Sequence, residues 1–305
     1  MGIMTNRVTV FTKPWPDLPL PELARLVRKL GFDAVELPVR AGYQVTPEAI
    51  STKLPEAAKI LADQGVAIAS VAVVPDECSI AACAASGCSL IRLCVVIDMT
   101  IGYRATEERI RRQYDALLPA LERHGVSIGV QNHCDFCVGS AVGIMHVIEG
   151  YDPRQVSAVL DFAHLALVGE PVEMGIDICW SHLTLVNLKS AYRRRMNGPL
   201  GAEAAWEVYW PTARDSGFSW RSAVDELRRR GYTRDICLPA EYTGQPAYGQ
   251  LMGEEAIPPI RYDRAYLRYL MSDASSTGRL FVYLSVIDNQ TEVPTFIRGA
   301  KRPSY

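Results

Sequence analysis

Charge of one sign is what this sequence lacks most: 32 Lys and Arg face 34 Asp and Glu, a formal net charge of −2 over 305 residues. Proteins that grip nucleic acid do so chiefly by neutralising phosphates, so an even balance with no basic stripe argues against a nucleic-acid partner. Long apolar runs are missing too. None spans a bilayer, and residues 1–10 hold no apolar segment of signal-peptide length, so no membrane partner and a cytoplasmic location are expected. The first apolar run is followed by Phe11-Thr12-Lys13-Pro14-Trp15-Pro16, not by a glycine-rich phosphate loop, which argues against an open doubly wound sheet. Histidine is scarce, with 5 in the chain. Of the 8 cysteines, Cys83, Cys88, Cys94, Cys179 and Cys237 sit in apolar runs, where a thiol behaves as a small buried hydrophobe. Cys134 and Cys137 have metal-hook spacing, but no second pair follows, so they are read as loop thiols.

What is present is ordinary globular material, 49% hydrophobic and 22% charged, arranged as a repeating alternation. Apolar β-type runs at Val8, Ala34, Val66, Leu90, Ser127, Val156, Leu183 and Ile236 are each followed by a helical stretch. The helices are expected near residues 20–30, 47–64, 78–87, 106–124, 141–150, 172–179, 220–230 and 264–271. Gly31, Gly65, Gly87, Gly125 and Gly231 fall between a helix and the next strand, the left-handed stop position. Eight β-then-α units predict an α/β fold, a (β/α)8 barrel over residues 1–272. Residues 191–218 form a long connection after the seventh strand, whose aromatic content predicts an ordered lid. Residues 273–305, with an apolar run at 280–287, form an extension read as an arm or a poorly ordered tail.

Four successive strands end in polar side chains of ligand type. Gln131-Asn132-His133 closes the fifth, Asp161-Phe162-Ala163-His164 the sixth, Asn187-Leu188-Lys189 the seventh and Glu241 the eighth. Such a ring lies at the C-terminal mouth of a barrel, where barrel enzymes act. Glu36 within Val35-Glu36-Leu37 is a charge inside a strand and needs a buried partner or a substrate hydroxyl. Arg92, within Leu90-Ile91-Arg92-Leu93, is read as lining the pocket. Lys189, Arg193 and Arg194 are candidates for a substrate phosphate or carboxylate, although a charge run is more often a solvated face. Trp206 and Trp210 line either the pocket or the lid.

In order and register these strand ends resemble the xylose-isomerase-like barrels, the sugar phosphate isomerase/epimerase superfamily, over about residues 8–272. The resemblance implies an isomerase or epimerase that forms an enediolate by proton abstraction next to a carbonyl. It also implies one divalent cation, Mn2+ or Mg2+, held by Glu, Asp, His and Glu of strands five to eight, and a homo-oligomer, dimer or tetramer. Carried over, the metal ligands are Gln131, Asp161, Asn187 and Glu241. The catalytic residues are Glu241 as base, His164 as orienting or protonating group, and Glu36, with His133, Lys189, Arg193, Arg194 and Arg92 binding a sugar or keto-sugar.

Gln131 and Asn187 stand where the family has Glu and His, so the site has lost a charge and an imidazole. Amide oxygens still ligate hard cations, and weak binding, or none without substrate, is expected. Gln131 cannot accept a proton, so one-base chemistry fits better than symmetric epimerisation. A keto-sugar or cyclitol lyase or dehydratase on the same residues is the first alternative. A non-catalytic sugar-binding barrel or inactive subunit is the second. A DNA-repair activity of the kind shown by endonuclease IV, in the same superfamily, would need more histidines and a basic face.

Overall fold

The structure, a computed structural model, describes residues 3–244 and 249–272. The apolar runs form β1 (Val8–Phe11), β2 (Ala34–Pro38), β3 (Ala67–Ala72), β4 (Leu90–Cys94), β5 (Ser127–Gln131), β6 (Val156–Asp161) and β7 (Leu183–Asn187). A hairpin of β8 (Tyr192–Arg195) and β9 (Trp206–Tyr209) follows, then β10 (Ile236–Leu238). All but the hairpin close into a parallel barrel in the order β1-β10-β7-β6-β5-β4-β3-β2. The eight-unit barrel expected from the alternation is what forms. Every residue of β6 is buried, as a parallel strand covered on both faces must be.

The helices are α1 (Leu20–Lys29), α2 (Ile50–Ala62), α3 (Glu77–Ala85), α4 (Tyr103–His124), α5 (Ala141–Ile148), α6 (Phe162–Val168), α7 (Val172–Cys179), α8 (Trp220–Arg229) and α9 (Ile257–Met271). In α8, Trp220, Ala223, Val224 and Leu227 are buried while the last turn carries Arg228 and Arg229; this is the one-sided apolar stripe of a helix packed on a core. Gly125, at φ 62°, caps α4 in the left-handed conformation, as its place before β5 predicts. No helix among the described residues is long and apolar enough to cross a membrane.

Three features differ from the sequence reading. The sixth unit carries two helices, because α6 begins directly after Asp161; seven residues are too few to show a helical period. Helix α9 starts at Ile257, with a proline in its first turn, where helical N–H groups have no intrahelical partner and proline is tolerated. Residues 191–218 contain an antiparallel ribbon, Tyr192 opposite Tyr209 and Arg195 opposite Trp206, followed by a 3-10 turn at Ala213–Asp215. The expectation for residues 273–305 lies outside the described residues.

Inside the barrel, Phe11, Ala72, Leu90, Val159, Leu185 and Cys237 form an apolar plug apart from the main core. Gly129 of β5 lies against it: a Cβ there would meet Val159 Cγ2 at 2.7 Å and Leu90 Cδ1 at 2.9 Å. Gly129→Ala is expected to overpack this plug and destabilise the fold by about 1–3 kcal/mol. Urea denaturation checks it; an unchanged midpoint would mean the interior has slack for a methyl group.

Candidate active site

Strands β5, β6 and β7 end side by side, with Gln131 opposite Val159 and Asp161 opposite Asn187. Asn132 ties two of these ends together: its Nδ2 donates to the Asp161 carbonyl at 3.0 Å and its Oδ1 accepts the Asp161 N–H at 2.7 Å. Glu241 follows β10 through Pro239 and Ala240, whose φ of 55° puts a residue with a Cβ in the left-handed region. Such a conformation costs about 1–2 kcal/mol. Leu188 is buried beside the Asn187–Lys189 pair, and the two-residue period of an extended chain puts Asn187 and Lys189 on one face.

The structure brings Gln131, Asp161, Asn187 and Glu241 together, and it places the Lys189 ammonium among them. Lys189 Nζ lies 2.6 Å from Glu241 Oε2 and 3.3 Å from Asp161 Oδ2. Lys13, just past β1, reaches the other oxygen of Glu241 at 2.5 Å. Asn187 Nδ2 donates to Gln131 Oε1 at 3.1 Å, and Gln131 Nε2 donates to Asp161 Oδ2 at 3.2 Å. Asp161 Oδ1 caps α6, accepting the N–H groups of Ala163 and His164 at 3.1 and 3.3 Å. Asn187 Oδ1 is buried and has no hydrogen-bond partner among the described residues.

Protonation follows from these contacts. Burial alone would raise the Glu241 pKa, but Lys189 and Lys13 outweigh it and hold the carboxyl far below the usual carboxylate range. Burial would likewise disfavour a charged Lys189, yet Asp161 and Glu241 raise its pKa above the ordinary lysine value, so it stays an ammonium. His164 is fully buried; burial first, then Lys189, keeps its ring neutral. Its Nδ1 accepts the Cys134 N–H at 3.2 Å, so Nε2 carries the proton. That nitrogen stands 3.7 Å from Asp161 Oδ2, beyond hydrogen-bond reach.

His133 stacks on His164 with ring centroids 3.9 Å apart. Its Nδ1 lies 2.9 Å from the Cys134 carbonyl oxygen, which only an N–H can satisfy, so in the neutral ring Nε2 is the nitrogen with the lone pair. A cavity of about 170 Å3 at the mouth is lined by His133, Lys13, Lys189, Asn187 and Glu241 among others. A second, of about 380 Å3, shares Lys13, His133, Lys189 and Glu241 and extends outward to Trp210 and Glu207. Trp210 covers the Lys189 ammonium, 4.4 Å from its ring centre.

Other sequence candidates are placed differently. Glu36 is fully buried in the barrel wall. Ser70 Oγ donates to its Oε2 at 2.9 Å, and the Arg92 guanidinium donates to both oxygens, Nε at 3.1 and 3.2 Å. Arg92 lines the mouth cavity and also faces the Phe11 ring at 4.8 Å. Arg193 is exposed on β8, while Arg194 packs over Tyr209 at 4.8 Å; the hairpin lines the outer cavity with Glu207 and Val208 instead. Trp206 is exposed and Trp210 lines the cavity. Lys13 was missed by the sequence reading. The strand-end rule that singles out Glu241 points to it too, had it been applied to β1.

As a cage for the divalent cation implied by the sequence resemblance, this set does not fit. Gln131 spends its oxygen on Asn187 and turns N–H towards Asp161, and both oxygens of Glu241 already face ammonium groups. Asn187 Oδ1 is the one ligand-type oxygen of the four residues without a partner among the described residues. His133, Cys134 and His164 offer ligand atoms within 4.8 Å of one another. Burial pushes the Cys134 thiol up to about 12, with help from Asp135, and a protonated thiol is a poor ligand.

The sequence model of the family described as xylose isomerase-like TIM barrel matches residues 24–258. A search of curated protein sequences returns no match. Among solved structures, D-psicose 3-epimerase in the presence of D-fructose superposes with a TM-score of 0.64 at 14% identity, covering 87% of this chain and 99% of that one. The probable 3-DHS dehydratase AsbF of Bacillus anthracis gives a TM-score of 0.61 at 10% identity, covering 86% and 98%. A xylose isomerase-like TIM barrel protein of Mycobacterium smegmatis in complex with magnesium gives 0.62 at 15%, covering 89% and 98%. At such identities these likenesses show a shared barrel and leave the chemistry to the residues.

One buried acid behind the site titrates in an accessible range. Asp263 of α9 accepts the Ala213 N–H and the Tyr242 hydroxyl, both at 2.8 Å, tying the long connection to the segment that carries Glu241. Burial pushes its carboxyl up to about 7. Between about pH 4, the unfolded value, and 7, the folded chain keeps a proton that the unfolded chain has lost. Stability from this group is therefore full at low pH and falls as pH rises through that window. Asp263→Asn is expected to gain in melting temperature relative to wild type at pH 8 compared with pH 5. The same difference at both pH values would sink this reading.

Proposed function

We propose that this chain, which belongs to the xylose isomerase-like TIM-barrel family, is an enzyme of the isomerase or epimerase type. It moves a proton on a carbon next to the carbonyl of a small sugar or keto-sugar. The observation that carries this reading is the meeting, in one cavity, of an imidazole whose Nδ1 is spent on a backbone carbonyl and two ammonium groups, His133 with Lys13 and Lys189. Removing such a proton takes a positioned base and positive charge where an oxygen becomes negative. In this reading His133 Nε2 takes the proton, and the buried His164 ring holds the His133 ring in place. The lysines face the developing enediolate. Asn187 Oδ1 takes a substrate hydroxyl; left unfilled, a buried acceptor costs about 1–3 kcal/mol, which suits a polyhydroxylated ligand. Glu241 holds the two ammonium groups in position, a different role from the base assigned to it on the resemblance. The similarity to an epimerase crystallised with a ketose supports the substrate class.

Elimination from a keto-sugar is the second reading, favoured by the presence of two ammonium groups beside a single free imidazole. There His133 takes the proton next to the carbonyl, the C–O bond on the following carbon breaks, and a lysine N–H protonates the departing hydroxide to water.

Both readings predict wash-in of solvent deuterium. Ketopentoses and ketohexoses incubated with the wild type in D2O should lose the proton next to the carbonyl, followed by proton NMR. His133→Asn is expected to slow this about 10²–10⁴-fold. Equal rates would remove His133 as base, and no exchange into any ketose or keto-sugar would favour a non-catalytic barrel.

A further inference from the structure

We propose that Lys189 is the resident cation of this site: its ammonium occupies the position between Asp161 and Glu241, and the site takes no divalent ion. The inference deepens the proposed function and rests on it only for the ammonium's role towards substrate.

Three independent features carry it. The first is position. Nζ is in contact range of carboxylates from two different strand ends, 2.6 Å from Glu241 and 3.3 Å from Asp161, so it bridges them as a shared counter-ion does. The second is the sense of the amide hydrogen bonds. Asn187 donates to Gln131 and Gln131 donates to Asp161, a relay in which each N–H meets an oxygen. Turning the Gln131 amide round to offer its oxygen to a metal would set that oxygen against Asp161 Oδ2, and its NH2 against the Asn187 N–H. The third is charge. Glu36 is matched by Arg92, and Asp161 and Glu241 by Lys189 and Lys13. A divalent ion would enter a pocket with no net negative charge to receive it.

The ammonium is also held in place. Lys189 is 5% exposed, and Trp210 covers it. Swinging it out would strip one partner from each of two carboxylates. An ammonium has three N–H donors. With two directed to Glu241 and Asp161, the third is free for a substrate oxygen in the mouth cavity that Lys189 lines. The replacements at Gln131 and Asn187 and the seating of Lys189 are thus one arrangement. The two amides bring neither a carboxylate nor an imidazole to a metal, and the lysine neutralises Asp161 and Glu241.

Mn2+ alone, titrated into the chelator-treated full chain and followed by the electron paramagnetic resonance signal of free Mn2+, tests this. The wild type is expected to bind no Mn2+ at about 1 mM, a concentration corresponding to only about 4 kcal/mol of binding free energy. Lys189→Met is expected to gain at least about tenfold in Mn2+ affinity, equivalent to about 1.4 kcal/mol, because Asp161 and Glu241 lose their shared partner. Stoichiometric binding by the wild type below about 0.1 mM overturns the proposal, and this arm needs no variant to fold. A folded Lys189→Met protein with no gain overturns it as well. Neither readout depends on turnover, so a chain that exchanges no sugar proton would sink the proposed function while these titrations still decide the cation.

Discussion

The contact on which the rest of the mouth depends is the Lys189 ammonium bridging Asp161 and Glu241. Asp161 is fully buried and Glu241 partly so, and a carboxylate taken out of water without a partner is among the most costly things a fold can contain. Breaking one side of such a pair typically costs about 3–5 kcal/mol. Around that ammonium the other groups fall into order. Lys13 completes Glu241, Gln131 and the start of α6 complete Asp161, and Asn187 completes Gln131. Nearly every polar atom of the ring then has a partner. Among the described residues, Asn187 Oδ1 and His164 Nε2 lack one, and they mark where the network stops.

The barrel makes this possible because parallel strands of alternating direction of side chain end level with one another. Asp161 opposite Asn187 is a register fact before it is a chemical one. Lys189 reaches the centre because it shares a face with Asn187 two residues earlier and has four methylenes to spend on the distance. Trp210, delivered by the β8–β9 ribbon, seals the stem and places an aromatic face on the ammonium. Cation–aromatic contacts of this kind contribute about 0.5–2 kcal/mol, more where water is excluded. The hairpin therefore acts on the site through one residue past its second strand, while its own arginines lie elsewhere.

The barrel was legible in the sequence because its evidence is periodic and repeated. Eight apolar runs, eight helical stretches and glycines at helix ends each point to the same answer, and local errors such as the missed α6 do not disturb it. The ring of strand-end residues was legible for the same reason: Gln131, Asp161 and Asn187 each close a strand, and Glu241 lies just past one. What the ring surrounds was not legible. Sequence gives residue types and spacing, whereas the direction of an amide hydrogen bond or the reach of a lysine depends on what lies across the barrel. Glu36 reads as a strand charge in need of a buried partner or a substrate hydroxyl, and only the fold names Arg92 and Ser70, 56 and 34 residues away in sequence, as its partners. Lys13 follows a strand whose ending looked unremarkable by comparison with a phosphate loop, and its partner is 228 residues distant.

The choice of base follows from the same electrostatics. A carboxylate gripped by two ammonium groups is stabilised as an anion, and whatever stabilises the anion makes it a weaker base. Glu241 thus loses as a proton acceptor what it gains as an anchor. His133 is the other proton acceptor at the mouth, beside the same lysines. In the neutral ring its Nδ1 bond to the Cys134 carbonyl fixes which nitrogen is open. In the proposed reaction a protonated His133 is a cation facing cations, and the new negative charge is the one on the substrate oxygen.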